Sequence, residues 1–251
     1  MTHIVTKAPD PERHCPHDFQ VSCGNCRLNT LCLPIALDME DLVQLEDIVT
    51  RGRPLRKGEY LYRANEKFRS VYAVRAGSIK AFSTTDSGEE QVTGFYFPGE
   101  IFGMDGISLS KHVSSAKALE TSAICEIPFD RLQDLSVKIP SLQRHFFQLM
   151  SQEIAQDQQL ITLLSKNTAE ERIAAFMLSI SSRHRRQKLS PTSFRLSMSR
   201  SDIGNYLGLT VETVSRVFTR FQKQDLLTAD SKEIHINDIE AVRKLANVKI
   251  M

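Results

Sequence analysis

A long helical repeat in the second half of the chain constrains the fold more than any other feature of the sequence. Large side chains recur at alternating steps of four and three residues after Pro140. A period of this kind, sustained over about three heptads, predicts a helix that pairs with a second helix along one seam. The seam positions are Gln143, Phe147, Met150, Ile154, Asp157, Ile161 and Leu164.

We therefore expect residues 140–168 to form a helix through which two copies of the chain pair. All seam positions except Gln143 are candidates for the dimer interface. The periodicity alone is equally compatible with an amphipathic helix that lies on its own domain. The seam also contains a charged residue, Asp157. In a symmetric parallel pair two such carboxylates would face each other, and their repulsion and desolvation would weaken the dimer.

The sequence before this helix has the pattern of short strands. Residues 70–74, 78–82 and 91–95 are rich in β-branched and aromatic side chains, and glycines separate these segments from one another. Short strands at this spacing predict an antiparallel β-roll, which we assign to residues 37–139 and whose last strand ends near Phe129. The fold class is therefore α+β.

The N-terminal part of the chain has a different character. Residues 1–36 contain several prolines and all but one of the cysteines, and we interpret them as an irregular arm. A helix begins after Asp38, whose side chain can cap it, and Asp41 follows three residues later.

The charge of the chain is unevenly distributed. Residues 1–169 contain 18 Lys and Arg against 21 Asp and Glu, whereas residues 170–251 contain 14 against 9. Between Arg183 and Lys223, nine basic residues stand against two acidic ones. This asymmetry indicates a C-terminal part, residues 169–251, that faces a polyanion. Charge alone is equally compatible with a solvated basic surface.

The most specific local pattern lies within this C-terminal part. Ser199 and Asp202 resemble a capping box before a short helix, a turn follows at Gly208, and Thr210 caps a second helix. This spacing predicts a helix-turn-helix, whose second helix enters the DNA major groove by its N-terminal end. Arg200 is suited to a phosphate contact. The side chains expected to face base edges are Val211, Glu212, Ser215 and Arg216.

Cysteine spacing points to a metal. The five cysteines are an odd number in a chain without an export signal, which argues against a disulfide framework. Cys23, Cys26 and Cys32 form a C-x2-C-x5-C cluster that is typical of soft-metal ligation.

No apolar run reaches the roughly 18 residues of a membrane span, so we expect a cytoplasmic protein without a membrane partner.

The helix-turn-helix segment, residues 202–216, resembles the DNA-binding signature of the cyclic-AMP-receptor/FNR superfamily. The cysteine cluster and the turns at Gly77 and at Pro98-Gly99-Glu100 resemble its FNR branch, the fumarate and nitrate reduction regulators. The resemblance implies a cytoplasmic homodimeric transcription regulator that senses oxygen through a 4Fe-4S cluster. It also implies an antiparallel β-roll, a long dimerisation helix and a winged helix-turn-helix.

The resemblance also implies ligands for this cluster, namely Cys23, Cys26, Cys32 and the distant Cys125. Cys15 lies outside the matched spacing and is expected to be a free surface thiol. The same four cysteines are also suited to a structural zinc ion. Arg27, directly after the second cluster cysteine, departs from the small residue of the best-known relatives, and a cation there could alter the potential of a cluster.

Partners follow from the same resemblance. The family's DNA target is an inverted repeat resembling TTGAT–ATCAA, at which genes of anaerobic metabolism are activated or repressed. Residues 84–90 are the candidates for contact with RNA polymerase.

Cyclic-nucleotide-binding relatives carry an Arg in a phosphate cradle, whereas this chain has Asp105 and an Arg-free segment, residues 113–116. We therefore expect no cyclic nucleotide to bind.

Two other classes of protein are alternatives to an oxygen-sensing regulator. An iron–sulfur electron-transfer protein or enzyme would need a nucleotide or flavin site, and the sequence has no Gly-rich dinucleotide turn. No spacing indicates a catalytic triad or an acid–base pair, so we expect a protein that is not an enzyme. A zinc-stabilised regulator without redox sensing is the third class.

Overall fold

The computed structural model describes residues 22–247. The N-terminal arm runs through successive turns into a short 3-10 helix, Leu33–Ala36, and then into helix α1, Met39–Ile48. The side chain of Asp38 accepts hydrogen bonds from the backbone N–H groups of Glu40 and Asp41, so it caps α1 as the sequence predicts. Cys15 lies outside the described residues.

Two four-stranded antiparallel sheets follow and form the β-roll. One has the strand order β1-β8-β3-β6 and the other the order β2-β7-β4-β5. The predicted roll is confirmed, and its last strand ends at Pro128. The strands are β1 (Thr50–Arg51), β2 (Tyr60–Tyr62), β3 (Ser70–Ala76), β4 (Ile79–Thr84), β5 (Glu90–Tyr96), β6 (Ile101–Phe102), β7 (Ser115–Ala118) and β8 (Ala123–Pro128).

Helix α2 (Phe129–Lys138) leads into the long helix α3 (Pro140–Lys166), which has two apolar faces. The inward face packs on the roll through Leu142 and Phe146, which are buried together with Leu33 of the arm. The outward face carries the predicted seam, on which the most exposed apolar side chains are Phe147, Ile154 and Ile161, at 57%, 59% and 66%.

The helix α3 therefore packs on its own domain with the face opposite the seam. Met150 and Leu164 are half-buried at its edges, and Asp157 is exposed between Ile154 and Ile161. Solvated apolar side chains in a row on one helix face are typical of a surface that a partner covers. The role of these residues in a dimer stays a prediction.

The C-terminal part is a winged helix-turn-helix. A three-stranded sheet of order β10-β11-β9 stands beside four helices and forms the predicted wing. The elements are α4 (Ala169–Arg186), β9 (Ser193–Arg195), α5 (Arg200–Leu207), α6 (Val211–Lys223), β10 (Leu227–Asp230), β11 (Glu233–Ile236) and α7 (Ile239–Ala246).

The C-terminal core extends into the β-roll. Val92 and Phe95 of β5, together with Phe97, are buried in the same apolar cluster as the side chains of α4, α5 and α6. The ring of Phe95 lies 5.1 Å from that of Tyr206 in α5, at an interplanar angle of 62°. This edge-to-face packing joins the sensor roll directly to the helix-turn-helix.

Candidate metal centre and nucleic-acid interface

All four cysteines of the described chain line one pocket between the arm, α1 and the first sheet. Cys23 and Cys26 lie in the turns of the arm, Cys32 directly precedes the 3-10 helix, and Cys125 lies in β8. The fold thus places the distant Cys125 in the same pocket as the three clustered thiols, and their role as ligands stays a prediction. The rest of the pocket wall is mostly apolar and includes Leu28, Leu33, Leu45, Val49, Ala73 and Ile127.

An ion pair adjoins this pocket. Arg51 of β1 lies opposite Cys125 in the antiparallel pairing of β1 with β8. Its Nη2 donates to Glu46 Oε2 at 2.9 Å and lies 3.3 Å from Cys23 Sγ. Glu46 in turn accepts from the backbone N–H of Cys23 at 2.6 Å. The Nε of Arg51 is buried and has no hydrogen-bond partner within residues 22–247.

Burial in the pocket raises the pKa values of three of its thiols, those of Cys23, Cys32 and Cys125. Burial, with the neighbouring Glu46 carboxylate, raises the pKa of Cys23 to about 12. Burial also raises the pKa of Cys32 to about 12 and raises the pKa of Cys125. Although burial opposes it, hydrogen bonding from Arg51 and from Cys23 lowers the pKa of Glu46 to about 2. A metal that binds here must therefore displace protons from these three thiols.

The donor set fits an iron–sulfur cluster, because four cysteine thiolates are its usual ligands. An all-thiolate zinc site has the same donors, so chemistry alone does not distinguish the two. Within the described range 22–247, no group of three or more His, Cys, Asp or Glu is arranged so that it could hold a metal ion. The thiols line a shared pocket without converging on one point.

The cation at this pocket is not the one that the sequence indicates. Arg27 is exposed and does not line the pocket, whereas Arg51 and Arg75 do. Sequence reasoning missed both, because a local motif does not reveal which strand will pair with β8. An isolated arginine in a short strand such as β1, or near the end of β3, has no sequence pattern that marks it as part of a metal site.

The helix-turn-helix forms as predicted. Ser199 and Asp202 make a reciprocal capping box at the start of α5, and Thr210 caps α6 by accepting from the N–H of Thr213. Gly208 ends α5 in the left-handed region with φ 63°, which a glycine adopts without strain. Ile203, Leu207, Val214 and Val217 are buried between the two helices, with Leu209 packed beside them.

The N-terminal turns of α6 present a polar surface to solvent. Val211, Glu212, Ser215 and Arg216 are all exposed, as expected of side chains that read base edges. The Nη2 of Arg216 lies 3.2 Å from Thr213 Oγ1, which orients the guanidinium along the helix. The assignment of these four residues to base contacts stays a prediction.

Arg200 has a more buried environment than a simple phosphate contact requires. Its guanidinium stacks on the ring of Phe218 at 3.2 Å from the centroid, and one nitrogen, Nη1, is buried and unpartnered within residues 22–247. Burial lowers the pKa of Arg200 to about 10. Its stacking on α6 gives it a packing role in addition to the predicted phosphate contact.

A carboxylate binds the segment 113–116, in which the sequence lacks the arginine expected of a phosphate cradle. Asp105 Oδ2 accepts from the N–H groups of Val113 and Ser114, at 3.1 and 2.9 Å, and from Ser114 Oγ at 2.7 Å. Its Oδ1 lies 2.9 Å from Nδ1 of the buried His112. The N–H groups of Val113 and Ser114 and the hydroxyl of Ser114 are thus engaged by the chain's own carboxylate.

Comparisons with known proteins agree with both parts of this structure. The family model of the cyclic nucleotide-binding domain matches residues 52–138, and that of the Crp-like helix-turn-helix domain matches residues 171–245. The transcriptional activator protein Anr of Pseudomonas protegens is 55% identical over 219 residues, which cover 87% of this chain and 90% of that protein. The chain belongs to the Crp/FNR family.

Another relative in this family is the fumarate and nitrate reduction regulatory protein of Escherichia coli, 47% identical over 226 residues, which cover 90% of each chain. Among solved structures, FixK2 from Bradyrhizobium japonicum matches with a TM-score of 0.74 at 27% identity, over 81% of this chain and 100% of that one. Our protein is thus a transcription regulator of the FNR/Anr type with a DNA-binding helix-turn-helix, and it is not an enzyme.

None of the helices within residues 22–247 combines the length and the apolar character that a membrane crossing requires.

Proposed function

We propose that this regulator responds to oxygen through a 4Fe-4S cluster held by Cys23, Cys26, Cys32 and Cys125. The observation that carries the proposal is the shared pocket in which β8 brings Cys125 to the three thiols of the arm. The names of its FNR-type relatives add support, since they are regulators of fumarate and nitrate reduction. Such a cluster supplies an oxygen-labile link between the arm and the roll.

The chain's own residues carry the signal from the pocket to the helix pair. Leu33 follows Cys32 directly, is fully buried and packs in one cluster with Leu142 and Phe146 of α3. A shift of Cys32 would therefore displace Leu33 and the side chains of α3 that contact it. Close-packed side chains transmit such displacements rather than absorb them. The seam lies on the opposite face of the same helix.

The proposed active form is a homodimer that lies in the cytoplasm. Its two α3 helices pair along the exposed seam, and its two α6 helices enter successive major grooves of an inverted repeat resembling TTGAT–ATCAA. Residues 84–90, the exposed hairpin between β4 and β5, would contact RNA polymerase. We further propose that both activation and repression occur, and that no cyclic nucleotide is needed because Asp105 engages the donors of the cradle.

Metal and sulfide analysis of protein purified without oxygen tests the proposal. We expect about four iron and four sulfide per chain, together with the visible absorption of a cubane cluster. Serine variants of Cys23, Cys26, Cys32 and Cys125, made one at a time, should lose the cluster because a hydroxyl is a poor ligand for iron. A serine variant of Cys15 is the matched control and should retain it.

Two outcomes would contradict the proposal. Stoichiometric zinc without sulfide in the native protein would identify a structural metal instead of a sensor. A Cys125→Ser variant that retains a full cluster, together with a Cys15→Ser variant that loses it, would show that the ligand set is wrong.

A further inference from the structure

Strand β5 lies at the edge of its sheet, and helix α5 of the DNA-binding part covers that edge. An edge strand presents unpaired N–H and C=O groups that need partners. In β5 the outward-facing groups include the N–H of Val92 and the C=O of Glu90. Both are bonded to one side chain of the helix-turn-helix, that of Asn205.

Asn205 pairs with β5 much as a neighbouring strand would. Its Oδ1 accepts from the N–H of Val92, and its Nδ2 donates to the C=O of Glu90 at 2.7 Å. Its own backbone C=O, near the end of α5, accepts from Gln91 Nε2 at 2.8 Å. Three hydrogen bonds therefore join one residue of α5 to three consecutive residues of β5.

A buried cation strengthens this junction. Lys80 of β4 is only 8% exposed, and its ammonium group lies 2.9 Å from both Glu90 Oε2 and Asp202 Oδ1. Asp202 uses its other oxygen for the capping box with Ser199, so the same carboxylate starts α5 and anchors it to the roll. We call Lys80, Glu90, Val92, Asp202 and Asn205 the roll–helix contact.

The C-terminal end of α5, beyond Asn205, is also joined to the long helix α3. Arg172 donates to the C=O of Leu207 at the end of α5 and to the C=O of Leu164 near the end of α3, at 3.0 and 2.7 Å. Covalently, only residues 167–168 connect α3 with α4. The direction of α6 relative to α3 is therefore set by side-chain contacts on α5 and on the C-terminal core.

We propose that Asn205 and Lys80 are positioning residues that set the distance and the rotation between the two recognition helices of a dimer. Half-sites on DNA lie one helical turn apart, so each change of one base pair both shifts and rotates one half-site relative to the other. A protein whose α6 helices are held rigidly accepts one spacer length. This inference rests on the proposed function, since it needs a dimer on an inverted repeat.

The test measures DNA affinity of the cluster-loaded full-length protein on a set of duplexes. These carry the inverted repeat with its natural spacer, with one base pair added and with one removed, and a single half-site. For Asn205→Ala and, independently, Lys80→Met, the penalty for the altered spacers should fall by on the order of tenfold relative to wild type. Affinity for the single half-site should stay unchanged, because the base-reading side chains of α6 are untouched.

Two further measurements separate positioning from general destabilisation. Amide exchange at Val92 should quicken in Asn205→Ala while that of Gly94, paired with Ala81 of β4, keeps its rate. Asn237→Ala is the matched control, because Asn237 is exposed and bonds Asp225 within the C-terminal part without touching the roll. This variant should keep the wild-type spacer preference.

A failure of the positioning role and a failure of the proposed dimeric function give different results. If both positioning variants keep the full spacer penalty while Val92 exchanges faster, the contact has no role in spacing and the inference is wrong. If wild-type protein binds a single half-site as tightly as the repeat, the proposed dimeric function fails, and the positioning role fails with it.

Discussion

Arg51 is the pocket arginine that contacts a predicted cluster ligand directly. Four thiolates around iron concentrate negative charge, and Arg51 brings a cation to within 3.3 Å of Cys23 Sγ. Charged groups of this kind, next to metal ligands, typically change metal affinity about 10–100-fold when they are removed.

Arg51→Met should therefore lower cluster retention on the order of tenfold while the chain stays folded. The methionine keeps the apolar stem of the side chain and removes the charge together with the hydrogen bonds to Glu46 and Cys23. The measurement is iron lost to a chelator over time, without oxygen. Arg27→Met, at an exposed position outside the pocket, is the control. An equal effect of both substitutions would refute the role of Arg51.

Asp105 gives a prediction that depends on pH. Although burial opposes it, hydrogen bonds from His112 and Ser114 lower the pKa of Asp105. The group binds its proton less readily in the folded chain than in the unfolded one. Its contribution to stability is therefore full above the unfolded value of about 4, and it is lost as the pH falls through that value toward the lower pKa of the folded state.

Asp105→Asn should lower the free energy of unfolding of the roll at pH 7 by about 1–3 kcal/mol, because a neutral amide oxygen accepts more weakly than a carboxylate from Val113 and Ser114 and the amide removes the negative charge beside His112. The deficit should shrink as the pH falls below about 4. Denaturant unfolding at several pH values checks both statements, with Asp86→Asn on the exposed hairpin as the control. A deficit that does not depend on pH would contradict this explanation.

Arg216 and Arg200 should differ in how their loss affects DNA binding. Arg216→Ala should cost about 1–3 kcal/mol on the target and relax the preference at one base pair. Arg200→Ala should weaken binding to all sequences alike and lower the salt slope by about one. Titrations of each variant on target and random duplexes, at several salt concentrations, distinguish the two roles. Equal losses on both duplexes for Arg216 would exclude it from base readout.

At the scale of elements, helix α3 combines two functions on two faces. Its inward face packs on the roll and the arm, whereas its outward face leaves Phe147, Ile154 and Ile161 in solvent. Asp157 lies within this outward row, and partial burial by its own chain already raises the pKa of Asp157. A second carboxylate across the seam would oppose ionisation further.

Substitutions on the outward face should shift the balance between monomer and dimer in opposite directions. Asp157→Ala should form dimers in air without a cluster, because it removes the repulsion between two carboxylates. Ile154→Ala should leave cluster-loaded protein largely monomeric, since each buried isoleucine contributes about 1.5–3 kcal/mol. Sedimentation of both variants checks this. Cluster-free Asp157→Ala that remains monomeric like wild type would refute the repulsion mechanism.

The elements also show what can be predicted from a sequence of this kind. Helix starts at Asp38, Ser199 and Thr210 were predictable because a cap is a local hydrogen bond between residues two or three apart. The period of α3 indicated its outward seam. The cover that Asn205 provides for β5 was not predictable, because it joins residues more than a hundred positions apart and leaves no pattern in either segment. The position of Arg51 beside Cys125 was hidden for the same reason.

At the scale of the whole molecule, a continuous series of contacts joins the candidate metal centre to the DNA-reading helix. Cys32 leads to Leu33, which packs against the inward face of α3. The end of α3 is bonded through Arg172 to α5, which the roll also holds through Asn205. A change at the pocket can thus reach both the seam and the orientation of α6 without a large rearrangement of either core.

If oxygen controls dimerisation and DNA binding together, both must change in one and the same preparation of the protein. A single preparation, made without oxygen, is divided in two and one half is exposed to air. Affinity for the inverted repeat and mass by sedimentation are then measured on both halves. We predict a dimer with tight binding in the half kept without oxygen, and a monomer with weak binding in the half exposed to air. Equal mass and equal affinity in the two halves would show that oxygen does not control this regulator.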